Sequence, residues 1–203
     1  MGRLTDAIKH LLIINVLFYV VTFFIPSMTD KMFEWFALFY PSNELFQPWQ
    51  FITHMFMHGG LMHIIFNMYA LWAFGSPLEQ LWGKNKFFFF YFSAGLGAAL
   101  VYTLANYYMQ SFDAVAVGAS GAVYGVLVAF AFNFPNAKLA LIFFPVPIAA
   151  KYFIPIIVVG DLFFGFTRYS VGNIAHFAHI GGALIGFLIM MYWKNNQFKR
   201  WDK

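Results

Sequence analysis

Apolar runs of membrane-crossing length recur along this sequence and constrain its fold more than any other feature. A spanning helix needs roughly 20 mostly apolar residues, because about 30 Å of hydrocarbon is crossed at about 1.5 Å per residue. Candidate spans lie near 9–26, 60–76, 87–109, 118–134, 149–165 and 175–193. Composition agrees with them. The chain has 62% hydrophobic and only 10% charged residues, with a mean hydropathy of +0.69, far from the values of a soluble domain of its size. The expectation is an all-α polytopic membrane protein, a bundle of six transmembrane helices, with residues 1–203 forming one domain.

Between the first two spans, residues 27–59 are rich in Trp, Phe and Pro with scattered charge, which suits a first loop lying in the membrane interface. Residues 135–147 are also apolar, but three prolines argue for a loop on the membrane surface. The first 26 residues resemble a signal peptide in charge and length. No small-x-small cleavage site follows, so an uncleaved first helix is the better reading.

The net charge of +4 raises nucleic acid as a partner, yet the basic residues sit in short clusters beside apolar runs, as topology signals do. Arg3, Lys9, Lys84, Lys86, Lys138, Lys151, Lys194, Lys199, Arg200 and Lys203 fall on one side, and Lys31 and Arg168 on the other. The positive-inside rule then puts both termini in the cytoplasm, with residues 27–59, 110–117 and 167–174 outside. The lipid bilayer is the expected partner and nucleic acid is not. The short chain suggests a bacterial inner membrane. Without cysteine there is neither a disulfide framework nor a thiolate nucleophile.

An unpaired polar group in a bilayer costs several kcal/mol, so strong polar side chains inside the spans need a partner or a function. His63 and Asn67 are four residues apart and face one way on a helix, toward a common ligand or as glue between helices. Ser120 lies in GASGA, where small residues serve close helix packing. A serine at a helix N-terminus also has free backbone N–H groups and a positive dipole end that suit a developing oxyanion. Tyr124 follows one turn later and faces the same way.

His179 is followed on its own helix face by Gly182 and Gly186. These let another backbone approach, and the small face of Gly121 and Gly125 is the simplest partner. Such packing would bring His179 within reach of Ser120, where a neutral imidazole could accept the serine proton. A structural histidine bonding a carbonyl is the alternative. His176 lacks a matching glycine face and is less favoured. A zinc site built on His54, His58 and His63 is disfavoured, because no H-E-x-x-H pair or converging carboxylate accompanies them. Glu79 is expected to tie a helix end to a loop, and Asp161 to do the same near the outer face, with no further role apparent.

Taken together, HGGLMHIIFN at 58–67, GASGAVYG at 118–125 and AHIGGALIG at 178–186 resemble the rhomboid family of intramembrane serine proteases in order and spacing. Gly75, Glu79 and Gly83 match the family's GxxxExxxG pattern, and a tryptophan-bearing first loop precedes the first motif. The resemblance implies a Ser-His dyad without a third acid, with Ser120 as nucleophile and His179 as base and then acid. It implies Tyr124 stacked on His179, and an oxyanion held by His63, Asn67 and the Ser120 N–H. It further implies single-pass transmembrane protein substrates, cleaved near the outer face, a gate and cap formed by the fifth helix and residues 167–174, and no cofactor. One departure stands out: the family typically carries Trp-Arg in the first loop, whereas Trp49 here is followed by Gln50. Two rival classes remain, an inactive rhomboid-like protein that binds membrane clients, and a transporter using histidines as a proton relay. The intact Ser120 and His179 count against the first, and the absence of an inverted repeat against the second.

Overall fold

The computed structural model describes residues 4–141, 144–166 and 176–201. In chain order the elements are α1 (Asp6–Phe24), α2 (Thr29–Phe36), α3 (Gln50–Thr53), a 3-10 turn (His54–Phe56), α4 (Leu61–Trp82), α5 (Lys84–Met109) and α6 (Ser120–Asn133). They continue through β1 (Lys138–Leu141), β2 (Phe144–Ala149), α7 (Ala150–Phe166) and α8 (His176–Trp201). Each expected apolar run lies on one of the six long helices. Among the described residues, α1, α4, α5 and α8 are long and apolar enough to cross a membrane. The apolar helix α6 has 14 residues and α7 has 17. The loop expected at 167–174 lies outside the described residues.

The helices of spanning length are apolar all round, which is the pattern of a bundle dissolved in hydrocarbon. Only 28 to 44% of each spanning window is buried inside the protein, so the remaining apolar surface faces outward to lipid. Leu17, Leu104, Ile156 and Leu188 are among the exposed residues, while Phe87, Phe90, Tyr91 and Leu71 are fully enclosed.

Without a hydrophobic drive between helices in lipid, close packing depends on small residues. The centre of the bundle shows this directly, where α8 lies against α5 and α6. A methyl group added at Gly182 would sit 1.8 Å from the Gly121 carbonyl oxygen, and one at Gly186 would sit 2.8 Å from the Gly125 Cα. Helices α6 and α8 therefore touch backbone to backbone along Gly121, Gly125, Gly182 and Gly186.

The first loop is a built structure. Gln50 is completely buried; its amide donates to the Glu34 and Leu45 carbonyls at 3.0 and 2.9 Å, and its carbonyl accepts from the Phe39 N–H at 3.4 Å. Trp49 donates its indole N–H to the Trp35 carbonyl at 2.8 Å. The loop also supports the strand of chain that leads to α6. Leu38 and Ala116 exchange two backbone hydrogen bonds at 2.9 Å, and the Gly118 N–H donates to the His54 carbonyl at 2.9 Å.

Two expectations change. β1 and β2 form an antiparallel ribbon pairing Lys138 with Ala149 and Leu139 with Ile148, where the prolines of residues 135–147 suggested a loop on the membrane surface. Each strand of a two-stranded ribbon has an edge without a partner strand, so Pro145 and Pro147 need not remove a ladder bond. Glu79 binds a helix start instead of a loop. Its carboxylate accepts from the Ala7 and Ile8 N–H groups at 2.7 and 3.0 Å and from the Thr5 hydroxyl, satisfying donors that the first turn of α1 cannot use.

Candidate active site

Ser120 is the first residue of α6, immediately after the fully buried Ala119. The first N–H groups of a helix have no acceptor within it, so donors collect around this serine. Gly118 makes the approach possible. Its φ is +124°, and a Cβ there would lie 2.8 Å from the Cε1 and Nε2 atoms of His63 and 3.6 Å from Ser120 Oγ. Any side chain would be strained and would collide with the imidazole.

The glycine contact between α6 and α8 sets the distance to His179. Its Nε2 lies 2.8 Å from Ser120 Oγ, a full hydrogen bond between residues 59 positions apart. Tyr124, one turn beyond Ser120, stacks on the His179 ring with centroids 4.3 Å apart and planes 9° from parallel. The stack fixes the ring plane, and the hydrogen bond fixes its rotation.

His63 projects from α4 toward the same point. The Gly59 N–H donates to His63 Nδ1 at 3.3 Å, so in a neutral imidazole Nδ1 is the acceptor and Nε2 carries the hydrogen. That N–H faces the Gly118–Ser120 turn. Asn67 is buried and gives one amide hydrogen to the His63 carbonyl at 2.9 Å, which leaves it a second N–H.

The histidines considered for zinc do not converge. His54 turns its Nδ1 to the Gln50 carbonyl at 2.8 Å, while the His58 and His63 rings meet edge to face with centroids 5.1 Å apart. A different cluster forms on the far side of His179. Asp161 on α7 places Oδ2 at 2.9 Å from His179 Nδ1 and Oδ1 at 2.5 Å from His176 Nδ1. The resemblance to rhomboids implies no such acid, and the sequence reading gave Asp161 and His176 no part in the site. A histidine pair at i and i+3 on α8 was the signal available, but nothing in the sequence indicates which carboxylate reaches it.

The nitrogen and oxygen atoms of Asp161, His176 and His179 lie within 4.8 Å of one another, so the three could in principle hold a metal ion. Their spacing is that of hydrogen bonds instead. Metal bonds of about 2.0–2.2 Å hold neighbouring ligand atoms more than about 3 Å apart, beyond both observed contacts. The arrangement suits proton transfer: a hydroxyl hydrogen-bonded to an imidazole nitrogen, an N–H beside it for an oxyanion, and an acid behind the imidazole.

Comparison with known proteins agrees with the motifs. The family model described as the Rhomboid domain matches residues 45–195, which include every side chain of this site. The presenilin-associated rhomboid-like mitochondrial protein of Homo sapiens is 31% identical over 182 residues, 85% of this chain and 46% of that protein. Rhomboid protein 1, mitochondrial, of Saccharomyces cerevisiae is 34% identical over 143 residues, 70% of this chain and 40% of its own length. Rhomboid protease GluP of Bacillus subtilis is 31% identical over 140 residues, 68% of this chain and 25% of that protein. The chain thus spans about half the length, or less, of these relatives. The match nevertheless runs through α3 to α8 without dividing the fold, and on that extent the chain belongs to the rhomboid family.

Proposed function

We propose that this protein is an intramembrane serine endopeptidase that cleaves single-pass transmembrane substrates near the outer membrane face. The 2.8 Å contact between Ser120 Oγ and His179 Nε2 at the start of α6 carries the reading. Ser120 attacks the scissile carbonyl as its proton passes to His179 Nε2, a transfer worth about 10²–10⁴ in rate. The imidazolium returns that proton to the leaving amine nitrogen, and the first fragment departs. Water then repeats the exchange on the acyl-enzyme: its proton goes to Nε2, its oxygen bonds the acyl carbon, and Ser120 Oγ recovers a proton as the ester breaks.

His63 Nε2–H, the free N–H groups at the head of α6 and the remaining Asn67 N–H stabilise the tetrahedral oxyanion, each donor worth about 10² or more. Tyr124 keeps the His179 ring in plane with the hydroxyl, and the glycine contact keeps the two helices at that distance. Substrates present a helix end that unwinds, with small residues at the cleaved bond. In this reading all six long helices cross the membrane of a bacterial cell, with both termini in the cytoplasm, the side marked by most basic residues.

The test uses the full chain in detergent. Wild type should react with a serine-directed fluorophosphonate and cleave a model transmembrane substrate, and Ser120→Ala and His179→Ala should lose both activities. Labelling that survives Ser120→Ala would sink the proposal.

A further inference from the structure

We infer that Asp161 is a positioning residue for His179, so that the reactive group is Ser120–His179–Asp161, with His176 as the second donor that fixes the carboxylate. The inference rests on the serine protease reading and goes beyond its two-residue form. It starts from what a carboxylate can do. An ionised carboxylate only accepts hydrogen bonds, over about four lone-pair positions, and burial is expensive unless those positions are filled. Asp161 is about one-tenth exposed, and its two oxygens go to different imidazoles, Oδ1 to His176 and Oδ2 to His179.

The proton positions follow. Because the acceptor is fixed, Nδ1 of His179 must carry a hydrogen, and in a neutral ring Nε2 is then bare. Bare Nε2 is the atom that faces Ser120 Oγ at 2.8 Å. The opposite tautomer would present N–H to the serine and could not take its proton. When Ser120 attacks, the Oγ proton moves to Nε2, Nδ1 keeps its own hydrogen, and the imidazolium forms 2.9 Å from an anion. Asp161 stays ionised throughout, and the Nε2 proton leaves with the amine product.

His176 sits one turn before His179 on α8, so both rings reach one carboxylate from the same helix face. This two-armed grip holds the carboxylate in the plane that His179 needs. It also joins α7 to α8, and a purely structural tie between those helices is the rival explanation.

The experiment separates the two with the full chain in detergent: steady-state kinetics on a transmembrane substrate, thermal unfolding, and 15N spectra of histidine-labelled protein, with His179 assigned by loss of its signals in His179→Ala. Asp161→Asn should lower kcat by roughly 10- to 1000-fold while KM stays within about threefold. Asp161→Glu should recover part of the loss. The wild-type His179 ring should show a protonated Nδ1 and a bare Nε2, a preference that Asp161→Asn removes. Wild-type kcat in Asp161→Asn would overturn the inference, as would an Nε2-protonated ring in wild type, or activity abolished by a chelator and restored by zinc. A kcat loss that only follows the loss of folded protein in both variants would favour the structural tie and overturn it too. Should Asp161→Asn not fold, the wild-type spectrum decides alone. Absence of Ser120-dependent cleavage in wild type overturns the protease reading and this inference with it, whereas a fast Asp161→Asn enzyme overturns this inference only.

Discussion

Two backbones in contact leave no space for a methyl group, and Gly182 is where this acts on the site most directly. Gly182→Ala forces α8 away from the Gly121 carbonyl and should lower stability by roughly 2–3 kcal/mol, measured as thermal unfolding in detergent, with loss of cleavage. Gly160→Ala on α7, where an added Cβ meets nothing within 4 Å, should be neutral or slightly stabilising in the same assay. Near the oxyanion position, His63→Ala should lower kcat by about 10²-fold or more with little change in KM, since an oxyanion donor acts in the transition state. Gly182 and His63 were readable from the sequence because helical spacing puts Gly182 and Gly186 on the His179 face and Asn67 one turn after His63, whereas the open space around Gly160 was not. Asp161 was not readable. Its partners lie 15 and 18 residues away on another helix, and no spacing rule connects them.

At the level of elements, the polar groups that organise the fold bind backbone, which leaves little trace in sequence. Glu79→Ala removes the acceptor for two N–H groups at the head of α1 and should cost about 1–3 kcal/mol in thermal unfolding. The Gln50 partners are the carbonyls of Glu34 and Leu45, so its departure from the family's arginine could not reveal that the amide anchors the first loop. The same loop carries a pH dependence. Burial holds His54 down at about 4 and His58 at about 3, against an ordinary value of 6.5. The unfolded chain therefore binds more protons than the folded one below about pH 6.5. The stability contributed by the neutral rings should be complete above that pH and decline as pH falls toward 4. Unfolding temperatures measured from pH 7.5 to 5 should show the decline, and His54→Gln should flatten it. The ribbon of β1 and β2 was not legible in the sequence because prolines that forbid a central strand do not forbid a two-stranded one.

For the molecule as a whole, the six long helices follow from the apolar runs, and the first loop was correctly separated from them by its aromatic and charged content. The chain contains no cysteine, so a single introduced thiol reports sidedness without background. Asp113→Cys and Lys138→Cys both fall at exposed positions on opposite sides of α6 in sequence. In intact cells an impermeant maleimide should label the first and spare the second, and reversed labelling would refute the proposed orientation. The turn that delivers Ser120 has one more property. It hangs from the first loop by the Leu38–Ala116 pair and the His54–Gly118 bond. With that loop at the membrane interface, as its Trp and Phe content predicts, a change in headgroup packing there would reach the nucleophile through three peptide hydrogen bonds.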